Sequence, residues 1–310
     1  MAVTEASTPA ATSTRKAAGW RRARRRLGIL YALPTAIYVA LFFVIPLLLV
    51  GRMSIGNWTL LGGDRGLNFP NNFTAITKNT LFVPAVVFTI EYTILVTILL
   101  MGLGLALALL VQEGGRWNGF LRTSFLLPAA IGLATASLLA WGFYSPSIGP
   151  ISPPLEKLGL IDQPIQFLET SLSALLSTTF LIVWKYAGFY MLILLVGLQA
   201  IPSEVYEAAA MDGAGRWQTL RRITLPLLRP SLALALILCI TGSLLAFDQF
   251  FILTKGAPDN TTVTVVQLIY REAFQRQNLG TAAALSIVVL VVLLVINTIQ
   301  FRGLRSAERD

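Results

Sequence analysis

The chain has 310 residues, 55% of them hydrophobic and only 13% charged, with a formal net charge of +9 and a mean hydropathy of +0.71. An ordinary water-soluble domain carries about 25% charged residues, so this composition excludes one and makes lipid the solvent of most of the chain. There is no histidine, and the single cysteine, Cys239, lies inside an apolar run, which excludes a disulfide framework and a zinc site and leaves Cys239 a helix-packing role.

Residues 1–26 are expected to form a disordered basic tail, rich in Ala, Ser and Thr and without apolar periodicity. Arg21, Arg22, Arg24, Arg25 and Arg26 directly precede an apolar run, the order found in a secretion signal. The run exceeds the roughly 7 to 15 apolar residues of a signal and no A-x-A site closes it, so it reads as a retained first helix, Leu27 to about Ser54. Five more spans follow at about Val83 to Val111, Leu121 to Tyr144, Leu172 to Gln199, Leu232 to Thr254 and Thr281 to Phe301. The expected fold is therefore all-α, a six-helix transmembrane domain over 27–303 with a short tail at 304–310.

Six crossings put both termini on one side of the membrane. That side holds sixteen of the 24 Lys and Arg residues: those of the tail, Arg116, Arg122, those from Arg216 to Arg229, and the last three of the chain. The opposite side holds seven, from Arg52 to Arg276, and Lys185 alone falls within a span. Basic residues at membrane flanks argue against a nucleic-acid surface, and the positive-inside rule places both termini and the loop 199–230 in the cytoplasm. The long outward loops, about Ile55 to Phe82, Ser145 to Ser171 and Lys255 to Gly280, are expected to form a surface. Trp58 and Trp141 fall near outer boundaries and Trp20 and Trp117 near inner ones, as an interfacial belt requires.

Within the second span, Gly102, Gly104, Ala106 and Ala108 form a small-residue stripe that lets a neighbouring helix approach closely. Ionisable groups inside spans cost several kcal/mol against lipid. Glu91, Lys185 and Asp248 should accordingly face the bundle interior, one another, or water, and each is a candidate pathway residue. No Walker A loop, nucleophilic serine motif or metal-binding histidine pair occurs, so no catalytic residue is expected and ATP chemistry must belong to another polypeptide.

The stretch Tyr206 to Pro230 is polar and lodged between two long apolar runs. Glu207, Ala208 and Ala209 begin a helix, Gly213 interrupts it, and Trp217 to Ile223 resume one that Pro226 and Pro230 should stop. Trp217, Leu220 and Ile223 at i, i+3 and i+6 predict one apolar docking face.

Glu207-Ala208-Ala209, three residues, Gly213, nine residues and Ile223-Thr224-Leu225-Pro226 reproduce the EAA motif. On that motif the chain resembles a membrane subunit of a bacterial ABC importer. The resemblance implies a type I importer permease fold in the cytoplasmic membrane. It implies coupling helices seated in a cleft on the ATP-hydrolysing subunit, carried here by Glu207, Ala208, Ala209, Asp212, Gly213, Ile223, Leu225 and Pro226. It further implies a second, homologous membrane subunit, two copies of the ATPase, which would use the ATP and Mg, an extracytoplasmic binding protein, and no cofactor or metal on this chain.

Leu33-Pro34 with Pro46, Phe125-Leu126-Leu127-Pro128, Trp184-Lys185 with Gly188-Phe189, Gly197 to Pro202, and Phe247-Asp248 with Leu253-Thr254 are similar to the carbohydrate-uptake branch. Within it they resemble the larger membrane subunit of maltose-type transporters. This branch implies a cavity lined by the third, fourth and fifth spans, with Ala129, Leu133, Lys185, Phe189, Ala246 and Gln249 near a sugar. Aromatic faces stack on sugar rings, while Lys185, Asp248 and Gln249 offer donors and acceptors to hydroxyls. Where the branch has Gly-Gly-Gly-Pro, this chain has Lys255-Gly256-Ala257-Pro258, which leaves the particular sugar open. A polyol or glycerol phosphate stays open as cargo of the same architecture. A stand-alone secondary transporter would need an inverted repeat and a coupling-ion site, and it would leave the EAA segment unexplained.

Overall fold

The computed structural model of the chain describes residues 31–307. The tail of 1–26, with Trp20, the first four residues of the first span and residues 308–310 lie outside them. The chain runs through α1 (Tyr31–Ser54), a small hairpin of β1 (Gly56–Thr59) and β2 (Gly63–Leu67), α2 (Asn71–Lys78), α3 (Phe82–Leu110), α4 (Arg116–Ala130) and α5 (Leu133–Phe143). It continues through α6 (Ser152–Lys157), α7 (Ser171–Gln199), α8 (Ser203–Met211), α9 (Arg216–Thr219), α10 (Arg229–Leu244), α11 (Asp248–Leu253), α12 (Val265–Tyr270) and α13 (Leu279–Ala307). Among the described residues five helical segments are long and apolar enough to cross a membrane, and α4 with α5 makes a sixth when counted as one bent span.

The core is the contact of α3 with α7. Both have 29 residues and are apolar on nearly every side, the pattern of helices that bury one face in protein and give the rest to lipid. Along the shared face Tyr92, Val96, Leu100 and Ala108 of α3 meet Tyr190, Met191, Leu194 and Leu198 of α7. Gly104 permits the approach: a Cβ there would lie 3.2 Å from that of Tyr190 and 3.4 Å from the Met191 amide. Thr170 opens α7 with a capping box, its hydroxyl accepting from the Ser173 amide at 3.1 Å while the Ser173 hydroxyl accepts from the Thr170 amide at 3.0 Å. α10 packs against α3, α7 and α13, and α1 lies outermost, against α13.

Two spans are not the single helices expected. Leu121 to Tyr144 breaks at Ile131 and Gly132, and α5 leaves α4 at 92°. Pro128 lacks the amide that would bond back into the previous turn, and Ile131 turns to extended backbone at ψ 136°, so the helix ends there. Leu232 to Thr254 breaks at residues 245–247, where Phe247 leaves helical geometry at φ −139°. The helix that follows Gly213 does not stop at Pro226 or Pro230. Each proline occupies one of the first two positions of a helical piece, Leu225–Leu227 or α10, where a missing amide costs nothing. The small-residue stripe is also divided: Gly104 and Ala108 are buried, whereas Gly102 faces open space and Ala106 is exposed.

The outward loops are knit together by polar side chains. The Asn72 amide donates to the carbonyls of Ser54 and Gly56 at 2.9 and 2.8 Å. Buried Glu272 accepts from Asn79 and Arg276, each at 2.7 Å, tying the start of α3 to the start of α13. Asp64 meets Arg52 at 2.9 Å, and the Gly66 amide, then that guanidinium, holds the Asp64 carboxyl below its usual range.

The two glycines of the stripe make opposite predictions. Gly104→Leu should overpack the α3 and α7 contact and destabilise the subunit by about 1 to 3 kcal/mol. Gly102→Leu, with nothing within 4 Å, should leave it unchanged. Thermal melts of the purified subunit in detergent distinguish them, and equal midpoints for the two variants would contradict this packing.

Candidate functional site

Both broken spans open onto one cavity of about 320 Å³. Leu133, the first residue of α5, lines it from one side, and Leu245 to Gln249, the break before α11, line it from another. Tyr186, Phe189 and Tyr190 of α7 and Tyr92, Val96 and Leu100 of α3 supply the remaining walls. The rings are organised: Phe189 and Tyr190 meet edge to face at 5.4 Å, and Phe247 stacks on Phe251 at 5.0 Å. The cavity is therefore aromatic with a polar floor, a surface that can stack on the apolar face of a ring and bond its hydroxyls.

Asp248 is exposed at the start of α11, and its carboxylate is the one charged group among the described residues that line the cavity. Its neighbour Gln249 is buried, and its amide donates to the Tyr92 hydroxyl at 3.1 Å, while its carbonyl oxygen has no partner among the described residues. The Asp248 carboxylate and the hydroxyls of Ser243, Tyr186 and Tyr190 are polar groups of the lining that a bound hydroxyl compound could meet. Tyr92 went unnoticed in the sequence because a tyrosine in an apolar run carries no signal of its own. Of the other residues expected here, Phe189 is 40% exposed and, with Leu133 and Ala246, lines the cavity, whereas Ala129 does not.

Lys185 and Glu91 fall elsewhere. The Lys185 side chain is buried, outside the cavity lining, and its ammonium donates to the carbonyls of Pro128 at 3.4 Å, Ala129 at 3.3 Å and Ile131. It is bonded to backbone and does not present donors to the cavity. Glu91 lies on the exposed side of α3, away from the cavity, from Lys185 and from Asp248, because one residue of helix turns it about 100° from Tyr92. Of the three ionisable groups expected to face the bundle interior, one another, or water, Lys185 is buried and Asp248 lines the cavity, while Glu91 is exposed outside that lining.

The EAA stretch forms two short helices joined by a tight turn. The Ala214 amide bonds the Ala209 carbonyl at 2.9 Å and the Gly213 amide bonds the Ala210 carbonyl at 3.1 Å. This pattern closes α8 as a Schellman motif with Gly213 left-handed at φ +76°. A Cβ at Gly213 would meet no atom, so the requirement for glycine is conformational alone. Ala209 and Thr224 are buried, Ile223, Leu225 and Pro226 half-buried, and Glu207, Ala208 and Asp212 exposed. A five-residue π-helical piece, Leu220–Thr224, follows α9 and changes the helical phase, so Trp217 points outward at 71% exposure while Leu220 and Ile223 turn inward. The single apolar face of Trp217, Leu220 and Ile223 is therefore not formed. The large exposed apolar groups here are Trp217, Leu227 and Met211, which is 89% exposed and lies within the spacer between Ala209 and Gly213.

A membrane-spanning bundle with a central cavity and an exposed helix-turn-helix segment matches known proteins over most of its length. The chain is 32% identical over 272 residues to the trehalose/maltose transport system permease protein MalF of Thermococcus litoralis, covering 87% of this chain and 90% of that one. It is also 32% identical to the sn-glycerol-3-phosphate transport system permease protein UgpA of Agrobacterium fabrum, over 74% of this chain and 78% of the relative. Among solved structures it superposes, with a TM-score of 0.78 and 26% identity, on a chain of a bacterial alginate ABC transporter in complex with an alginate pentasaccharide-bound periplasmic protein. That superposition covers 91% of this chain and 95% of the other. Since the model of the family described as binding-protein-dependent transport system inner membrane component matches residues 22–302, the chain belongs to that family of multi-pass membrane transport subunits.

Proposed function

We propose that this chain forms the translocation path for a neutral mono- or oligosaccharide, delivered by an extracytoplasmic binding protein. The observation that carries this reading is the cavity: aromatic walls, the exposed Asp248 carboxylate, the hydroxyl-bearing Ser243, Tyr186 and Tyr190, and no Lys or Arg among its described lining residues. Carboxylate and hydroxyl oxygens accept from sugar hydroxyls while aromatic faces hold the ring. A relative named for trehalose/maltose transport supports a neutral cargo, and a structural neighbour named for alginate, an acidic polysaccharide, supports a saccharide in general. The relative named for glycerol phosphate supports the rival reading, but a carboxylate with no Lys or Arg beside it among the described lining residues repels a phosphate.

In this reading the subunit pairs with a second, homologous membrane subunit. The assembly holds two copies of an ATPase, which use the ATP and Mg; α8, α9 and the turn at Gly213 seat in a cleft on the ATPase, while this chain binds no cofactor. Exposed Glu207 and Asp212, flanked by Met211 and Trp217, offer charge and apolar area to a cleft on that ATPase. The tail of 1–26, the loop 199–230 and residues 304–310 face the cytoplasm, by the same uneven distribution of Lys and Arg.

Three experiments test these assignments. In vesicles holding the complete transporter, Asp248→Ala should lower saturating sugar uptake about tenfold at unchanged insertion. Excess glycerol phosphate should not compete, and competition by it would favour the rival cargo. Gly213→Asp forces a side chain into a left-handed position at a cost of about 1 to 2 kcal/mol, so uptake and ATPase retention on purification should both be lost, with Glu207→Ala milder. Wild-type uptake together with full retention in Gly213→Asp would end the coupling assignment. A cysteine at Lys157 should react with impermeant reagent only from outside and one at Asp310 only from inside, and reaction from the same side would overturn the orientation.

A further inference from the structure

We infer that Lys185 is a positioning residue: its ammonium pins the end of α4 to α7, holds the break in the third span, and so sets the cavity wall at Leu133 without touching the solute. An ammonium has three donors, and three backbone carbonyls, those of Pro128, Ala129 and Ile131, receive them. The side chain is 2% exposed, and no carboxylate pairs with it among the described residues. The Tyr186 ring also faces it, its centre 4.9 Å from the ammonium.

The chemistry at the break calls for such a group. The last turn of any helix leaves carbonyls without partners, and inside a hydrocarbon layer no water supplies them. A cation at the C-terminal end of α4 meets both the free acceptors and the negative end of the helix dipole. Lysine suits this place better than a short polar residue, because its stem reaches from α7 across the packing gap to carbonyls 54 to 57 residues earlier in the chain.

A second contact fixes the same joint. Gly188, one turn further along α7, lies against the backbone of α4: a Cβ there would overlap the Phe125 carbonyl and sit 2.9 Å from the Leu126 amide. Lys185 and Gly188, at i and i+3, share a face of α7 and clamp the inner half of the third span from one side. The outer half, α5, packs mainly on α11 and less on α7. Leu133 stands where α5 departs, so any movement of Ile131 and Gly132 shifts the cavity wall directly.

The test combines a distance with transport. Nitroxides on Thr123→Cys and Leu138→Cys, both exposed and on opposite sides of the break, are placed in a Cys239→Ala background of the complete transporter in vesicles. The transport readout rests on the importer reading above, whereas the distance does not, so the two fail separately. Lys185→Met keeps the length and removes the donors. It should broaden the narrow wild-type distance distribution and lower the saturating uptake rate about tenfold, while the half-saturating sugar concentration and the preference among sugars stay within about twofold. An unchanged distance in Lys185→Met overturns the proposal, as does a changed sugar preference at unchanged distance, which would make Lys185 a solute ligand. If Lys185→Met does not accumulate in the membrane, Gly188→Ala is read in its place. It displaces α4 with Lys185 still present, so a broadened distance supports the joint and a wild-type distance refutes it.

Discussion

A backbone buried in hydrocarbon has to satisfy its own polar groups, and this chain breaks two of its spans at the level of a central cavity. Each break frees carbonyls that a straight helix would have bonded internally. At the third span the Lys185 ammonium takes them up, and at the fifth the Thr264 hydroxyl donates to the Ala246 carbonyl at 2.7 Å. A related device closes the other end of the second span, where the Arg122 guanidinium bonds the Val111 carbonyl at 2.6 Å beyond the end of α3. Helix ends that water would otherwise hydrate are here tied to side chains from neighbouring segments. The irregular backbone is tolerated because it is buried in protein or lines a cavity.

The unbroken helices give those breaks something to be measured against. α3 and α7 run the whole thickness side by side, close-packed through Gly104 and the Tyr190 and Met191 backbone. Around that pair the inner piece α4 leans on α7 and the inner piece α10 on both α3 and α7, and the outer pieces α5 and α11 lean on each other. The cavity occupies the level at which inner and outer pieces part. Its one charged group among the described lining residues, Asp248, stands with Gln249 at the start of α11, directly after the second break.

The EAA stretch sits at the far end of the same framework. Its turn is fixed by backbone hydrogen bonds and one left-handed glycine, and the Thr224 hydroxyl reaches the Tyr206 hydroxyl at 3.5 Å across the two short helices. From Arg216 the chain stays close to helical into α10, through a π-helical piece and a single turn at Leu228. A displacement of the turn would therefore be carried along one nearly continuous element to the break at residues 245–247, which gives the proposed coupling a mechanical route.

The sequence by itself determined the solvent, the number of spans, the helix-turn-helix segment and the need for glycine at Gly213. Each of these follows from composition, from run length or from a motif whose residues are close in the chain. Asp248 was also readable as a pathway candidate, because a charge in an apolar span stands out, whereas Phe189 was implied only by the resemblance to the carbohydrate-uptake branch. Only the tertiary structure decided where the spans break, that Lys185 faces backbone, that Glu91 faces away and that Tyr92 supports Gln249. Mean hydropathy over a window cannot register one extended peptide at Ile131, and the fifth break has no proline or glycine within residues 245–247 to announce it. The partner of a buried lysine is set by which backbone packs against its helix, here carbonyls more than fifty residues away, and spacing along a chain carries no record of that contact.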